Sequence, residues 1–96
     1  MSTKSAFAFE EIKACGGVIK LDHAISSPPE GVATSAFITA EGDWRYRYDG
    51  GDPTVDSGHV LEGGSYIILD GELNIRNFRA IESGYSNKLS VTYERV

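Results

Sequence analysis

The stretch Trp44-Arg45-Tyr46-Arg47-Tyr48-Asp49-Gly50-Gly51-Asp52-Pro53-Thr54 decides the fold. Large aromatic residues alternate with charged ones, then the pattern stops. Alternation with a period of two places successive side chains on opposite faces, which is the signature of a β-strand. Asp-Gly-Gly-Asp-Pro ends the strand, because glycine tolerates positive φ and Pro53 has no N–H for a ladder.

Outward from this strand the chain repeats the same grammar. Eleven glycines in 96 residues punctuate short apolar runs. Ninety-six residues form one small domain with a thin core, residues 1–6 being a frayed start. Val18–Asp22 reads as a strand with Ile19 and Leu21 on one face. Residues 31–40 read as another, joined by Glu41-Gly42-Asp43 to Trp44–Asp49 as a hairpin. His59-Val60-Leu61 is a short edge piece. Ser65-Tyr66-Ile67-Ile68-Leu69 has the continuous apolar character of a strand buried on both faces. Residues 74–77 read as a single helical or 3₁₀ turn, and Phe78-Arg79-Ala80-Ile81 extends with Phe78 and Ala80 inward. Leu89-Ser90-Val91-Thr92-Tyr93 is a terminal strand with Leu89, Val91 and Tyr93 inward. Ala6–Cys15 is open between strand and short helix. Ser26–Gly31, with its paired prolines, is a rigid loop. The sum is an all-β fold: a small antiparallel β-sandwich or jelly-roll-like barrel of seven or eight short strands.

Composition narrows the function. Nine basic against 14 acidic residues give a net charge of −5, so phosphate backbones would repel the domain and nucleic acid is not an expected partner. No apolar run approaches the roughly 18 residues that cross a bilayer. The first residues lack the apolar core of a signal peptide, which predicts synthesis in the cytoplasm without export. The single cysteine, Cys15, excludes an intrachain disulfide and reads as a small buried hydrophobe rather than a nucleophile.

Four groups of residues are candidates for function. Asp43, Asp49, Asp52 and Asp56 lie in loops, where carboxylates bind Ca²⁺ or serve turns; without the EF-hand spacing, turn chemistry is the reading adopted. Trp44, Tyr46 and Tyr48 share one strand face, which is core if covered and a sugar-stacking or protein-anchoring row if exposed. The opposite face must then be solvated, and core is the reading adopted. Arg45, Arg47, Arg76 and Arg79 are the candidate partner-binding set, weighed against solvated faces with weak ion pairs. No catalytic constellation, metal motif or cofactor motif is present: Gly-x-Ser-x-Gly, His-x-x-x-His and Cys-x-x-Cys are all missing, and His23 and His59 read as loop or surface residues. No enzyme, cofactor or metal is therefore expected.

From Ala33 onward the chain resembles a group of small bacteriophage and prophage proteins. The residues that carry the resemblance are Ala36-Phe37-Ile38-Thr39, Arg45-Tyr46-Arg47-Tyr48-Asp49-Gly50, Asp52-Pro53-Thr54, Gly58-His59-Val60-Leu61 and Gly63-Gly64. Asn74-Ile75, Phe78-Arg79-Ala80-Ile81 and Leu89-Ser90-Val91-Thr92-Tyr93 complete it. The resemblance implies a virion-associated β-sandwich, a capsid decoration or other minor structural protein located in the virion. Its implied partners are a capsid or other virion protein and copies of itself, as a homo-oligomer with a trimer favoured. No functional residue carries over. The Tyr46-x-x-Asp49-Gly50-x-x-Pro53-Thr54 portion is also similar to hairpins in accessory sandwich domains of glycan-degrading enzymes. The alternative this implies is a carbohydrate-binding module using Trp44, Tyr46 and Tyr48.

Overall fold

In the computed structural model, residues 5–21, 33–83 and 87–95 are described. Among the described residues, eight strands and one short helix follow in the order β1 (Ser5–Lys13), β2 (Ile19–Lys20), β3 (Ser35–Ala40), β4 (Trp44–Arg47), β5 (His59–Leu61), β6 (Tyr66–Asp70), α1 (Glu72–Asn77), β7 (Arg79–Glu82) and β8 (Lys88–Arg95). They form two four-stranded sheets, with strand orders β1-β8-β3-β6 and β2-β7-β4-β5, and every pairing is antiparallel. Strands divided between two sheets in these orders make the double Greek key of a jelly roll.

The core is the space between the sheets. Alternation supplies it from both sides: Ala36, Ile38 and Ala40 of β3 and Leu89, Val91 and Tyr93 of β8 meet Trp44 of β4, Leu61 of β5 and Ala80 of β7, all buried. Phe78 and Ile75 close one end. Tyr93 carries a polar tip into this core, and its hydroxyl donates to Glu10 of β1. As expected, Ile19 and Leu21 are buried, and β5 lies at a sheet edge.

The alternative left open over 6–15 resolves as strand, as far as Lys13. Other expectations are corrected. Ser5 and Ala6, placed in the frayed start, already pair with Arg95 and Glu94. The helical turn at 74–77 begins earlier, at Glu72. Cys15 is exposed, because β1 ends before it and no sheet face remains to bury it. The rigid loop Ser26–Gly31 lies outside the described residues.

The largest correction concerns β3 and β4, which do not form a hairpin. β3 pairs with β6 and β8, and β4 pairs with β5 and β7. The crossing occurs at Gly42. Glu41 N–H still donates to Lys88 O of the first sheet at 2.9 Å, and Asp43 O already accepts from Ser83 N–H of the second at 2.9 Å. Gly42 has φ 71°, the left-handed conformation that lets the chain turn between layers. Ala40 and Trp44 thereby point into the same core from opposite sides.

Candidate functional site

The outer face of the β2-β7-β4-β5 sheet gathers the basic residues. The register places Lys20 opposite Arg79, and Arg79 opposite Arg47, so three cations on three adjacent strands form one row. Arg45 projects from the same face two residues on, opposite Ile81 and Val60. Like charges directly opposite one another cost stability. A row of them in a chain of net charge −5 therefore requires local compensation.

Hydrogen bonds supply part of it. Arg47 meets Asp49 through two bonds, Nε to Oδ1 at 3.1 Å and Nη2 to Oδ2 at 2.6 Å. Asp49 also accepts from Gly51 N–H at 3.1 Å. This carboxyl is held down to about 2, first by Arg47 and then by the Gly51 amide, and Arg47 is pushed up in return by the same bond. The Arg47 guanidinium lies over Gly51, and a Cβ there would come within 2.7 Å of its carbon, so a side chain at 51 would displace the flexible Arg47 end. Arg79 Nη1 donates to Arg76 O and Phe78 O, both at 2.9 Å. Arg45 Nη1 donates to Gly58 O at 3.0 Å. Arg76 turns away to pair with Glu72 at 2.9 Å on its own helix.

Of the four arginines singled out in the sequence, the fold thus brings Arg45, Arg47 and Arg79 onto one sheet face. Arg76 adjoins them through its carbonyl, with its charge spent on Glu72. Lys20 completes the row. Its outward direction was readable from the alternation at 18–21, but its neighbour Arg79 is set only by the register of β2 on β7.

The aromatic row divides along its length. Trp44 is 0% exposed and donates from Nε1 to Glu41 O at 3.0 Å. It belongs to the core, as adopted from the sequence, and is removed from any sugar-stacking set. Tyr46 is half-buried, with ring centroids 5.7 Å from Phe78 and 5.3 Å from His59. Burial first, and Tyr48 second, pushes its phenol above the ordinary range. Tyr48 lies beyond the strand end, exposed, with its ring 6.0 Å from His59. These rings border an open cleft of about 520 Å³ where β6 approaches β4, with Asn74 and Asp70 on its rim.

Among the loop carboxylates, Asp43 accepts from Gly63 N–H at 3.0 Å and Asp49 from Gly51 N–H. Asp49 serves its own turn, whereas Asp43 ties its loop to the one at Gly63, twenty residues on. Among the described residues, no group of three or more His, Cys, Asp or Glu is placed to hold a metal ion. No helix among them is long and apolar enough to cross a membrane. The site offers fixed guanidinium groups and flat rings for recognition.

Comparison of the chain with protein-family models, with curated proteins and with solved structures finds no match to any of the three.

Proposed function

We propose that this chain is a non-enzymatic structural protein of a bacteriophage particle. It is a capsid decoration protein or another minor virion component that engages a repeated protein surface. The observation that carries the binding role is the row Lys20–Arg79–Arg47, three cations in register on the outer face of an otherwise acidic domain. Arginine is enriched where proteins meet, and its planar fork matches carboxylates in pairs. The partner surface is accordingly acidic. The assignment to a phage particle is supported by the sequence resemblance described above. The jelly roll is also an architecture of viral capsid and lectin domains, although a fold alone does not carry a function. On a shell the same weak contact recurs many times, so modest affinity per site suffices when copies are linked.

Cosedimentation with the particles made by the encoding phage tests this. The protein is expected to pellet with shells at saturating ratio, less so as salt shortens the screening length from about 8 to about 3 Å. The double change Lys20→Glu with Arg79→Glu is expected to leave it in the supernatant. Wild-type protein that stays wholly in the supernatant overturns the proposal.

The cleft supports a second reading, carbohydrate binding, through the exposed Tyr48 stacked beside His59 with Asn74 at hand. Flat rings beside hydrogen-bonding side chains suit sugars. Calorimetry against oligosaccharides checks it, and the heat is expected to vanish in Tyr48→Ala.

A further inference from the structure

The two sheets end in four edge strands, and three of them are blunted. β2 has two residues and β5 three. β1 carries a register shift between Ala6 and Ala8, together with Glu10, Glu11 and Lys13. Short length, bulges and charges are the ordinary protections of an open edge. β6 has none of them over Tyr66-Ile67-Ile68-Leu69, and its register on β3 runs unbroken. Tyr66 and Ile68 are 61% and 59% exposed.

The ladder shows which backbone groups this edge offers. At its two ends, Gly71 N–H donates to Thr34 O at 2.8 Å and Ala40 N–H to Ser65 O at 3.2 Å. Bonded pairs alternate with unbonded ones along an antiparallel ladder, so between those ends Ile67 and Leu69 bond to β3. The N–H and C=O of Tyr66 and Ile68 point the other way, and among the described residues no strand meets them. The cleft of about 520 Å³ runs along this edge. All five residues of β6 line it, although their side chains alternate between faces, and the Tyr46 and Tyr48 rings form the facing wall.

We propose that this edge takes an extended peptide of a partner protein as a fifth, antiparallel strand of the sheet. A row of N–H and C=O groups at strand spacing is complementary to another extended backbone. The cleft decides between a foreign segment and a second copy. In an added strand, the side chains that face the other sheet enter the cleft, against Tyr46 and Tyr48. In a β6-to-β6 pair those positions belong to Ile67 and Leu69, which already pack on their own core, so both clefts would stay unfilled. A foreign strand fills the cleft with an aromatic or large aliphatic side chain. Beside Tyr66 and Ile68 it carries β-branched residues. Opposite Asp70 it carries a basic or neutral one, because like charges there cost stability. The inference rests neither on the phage reading nor on the Lys20–Arg79–Arg47 row, and it competes with sugar for the cleft.

Amide hydrogen exchange followed by NMR, with the synthetic peptide acetyl-Lys-Thr-Val-Phe-Val-Thr-Lys-amide, tests the proposal. Paired antiparallel, its first Lys lies opposite Asp70, its two Val opposite Ile68 and Tyr66, and its Phe opposite Ile67, facing the cleft. In the protein alone, the Ile67 and Leu69 amides are expected to exchange slowly and those of Tyr66 and Ile68 fast. Peptide at about 1 mM is expected to slow Tyr66 and Ile68 by at least roughly threefold. Methylating both Val nitrogens, which donate to the edge, is expected to abolish the effect. Methylating both Thr nitrogens, which face away, is expected to preserve it. Ser in place of the Phe is expected to weaken binding roughly tenfold. Three results overturn the inference: no slowing at Tyr66 and Ile68, slowing indifferent to Val methylation, or slowing without peptide as the protein is concentrated from about 50 μM to about 1 mM. The last would put a second copy on the edge.

Discussion

Arg47 and Asp49 show how far one ion pair can bias titration while contributing little to stability. The carboxyl is held to about 2, by Arg47 first and by the Gly51 amide second. A folded-state value below the ordinary one of about 3.9 means that the bonds favour the folded state above about pH 4 and are lost as pH falls toward 2. Both side chains face solvent, so the effect on unfolding is expected to be small. Carboxyl carbon chemical shifts followed by NMR are expected to show Asp49 ionised down to about pH 2, and to show its midpoint moving up toward the ordinary value in Arg47→Ala. Trp44 is the opposite case, with no solvent contact and much apolar surface. Trp44→Ala is expected to cost about 3–5 kcal/mol in urea unfolding, a large share of the 5–15 kcal/mol typical of a domain. In the wild type, Trp44 emission is expected to be blue-shifted and untouched by iodide.

At the scale of elements, the turn at Gly42 carries the topology. Glu41 still bonds to one sheet and Asp43 already bonds to the other, so one residue must redirect the chain between layers. Its φ of 71° disfavours any side chain, and a Cβ there would also overlap the Asn87 amide at 1.9 Å. Gly42→Ala is expected to destabilise by about 1–3 kcal/mol in the same urea assay. This turn also shows what the sequence could and could not reveal. Strand directions were legible wherever alternation was strict: Leu89, Val91 and Tyr93, like Phe78 and Ala80, face inward as their spacing requires. Pairing was not legible. Two strands separated by three residues read as a hairpin, because nothing local records that Ala40 and Trp44 must fill one core from opposite sides. The basic row was half legible for the same reason. Arg45 and Arg47 share a strand and so a face, whereas Lys20 and Arg79 meet only through a ladder between segments remote in sequence. The apolar run of β6 read as a strand covered on both faces, whereas Tyr66 and Ile68 on its outer face are exposed and only the Ile67–Leu69 face is covered.

At the scale of the molecule, β8 is the keystone of its sheet. It lies between β1 and β3 and bonds along both sides. Removing it would part β1 from the sheet and expose Ala36 and Ile38. A chain ending before Lys88 is expected to lose the compact 12.8 Å radius of gyration and to approach about 30 Å, the size of an unfolded chain of this length, in small-angle scattering. The long separation between β1 and β8 also places the native pairing late, since closing a large loop precedes any reward from contacts, and folding on the millisecond-to-second scale of all-β domains is expected.

The pairing of Ser5 with Arg95 reaches beyond the domain itself. Both ends of the sandwich emerge side by side from the same corner, so polypeptide attached to either would leave from one spot. Such a unit can be spliced into a surface loop of another protein without prising the host apart. It can equally be re-cut, with its ends joined by a short linker and new ends opened in the 49–58 loop, while each strand keeps its place.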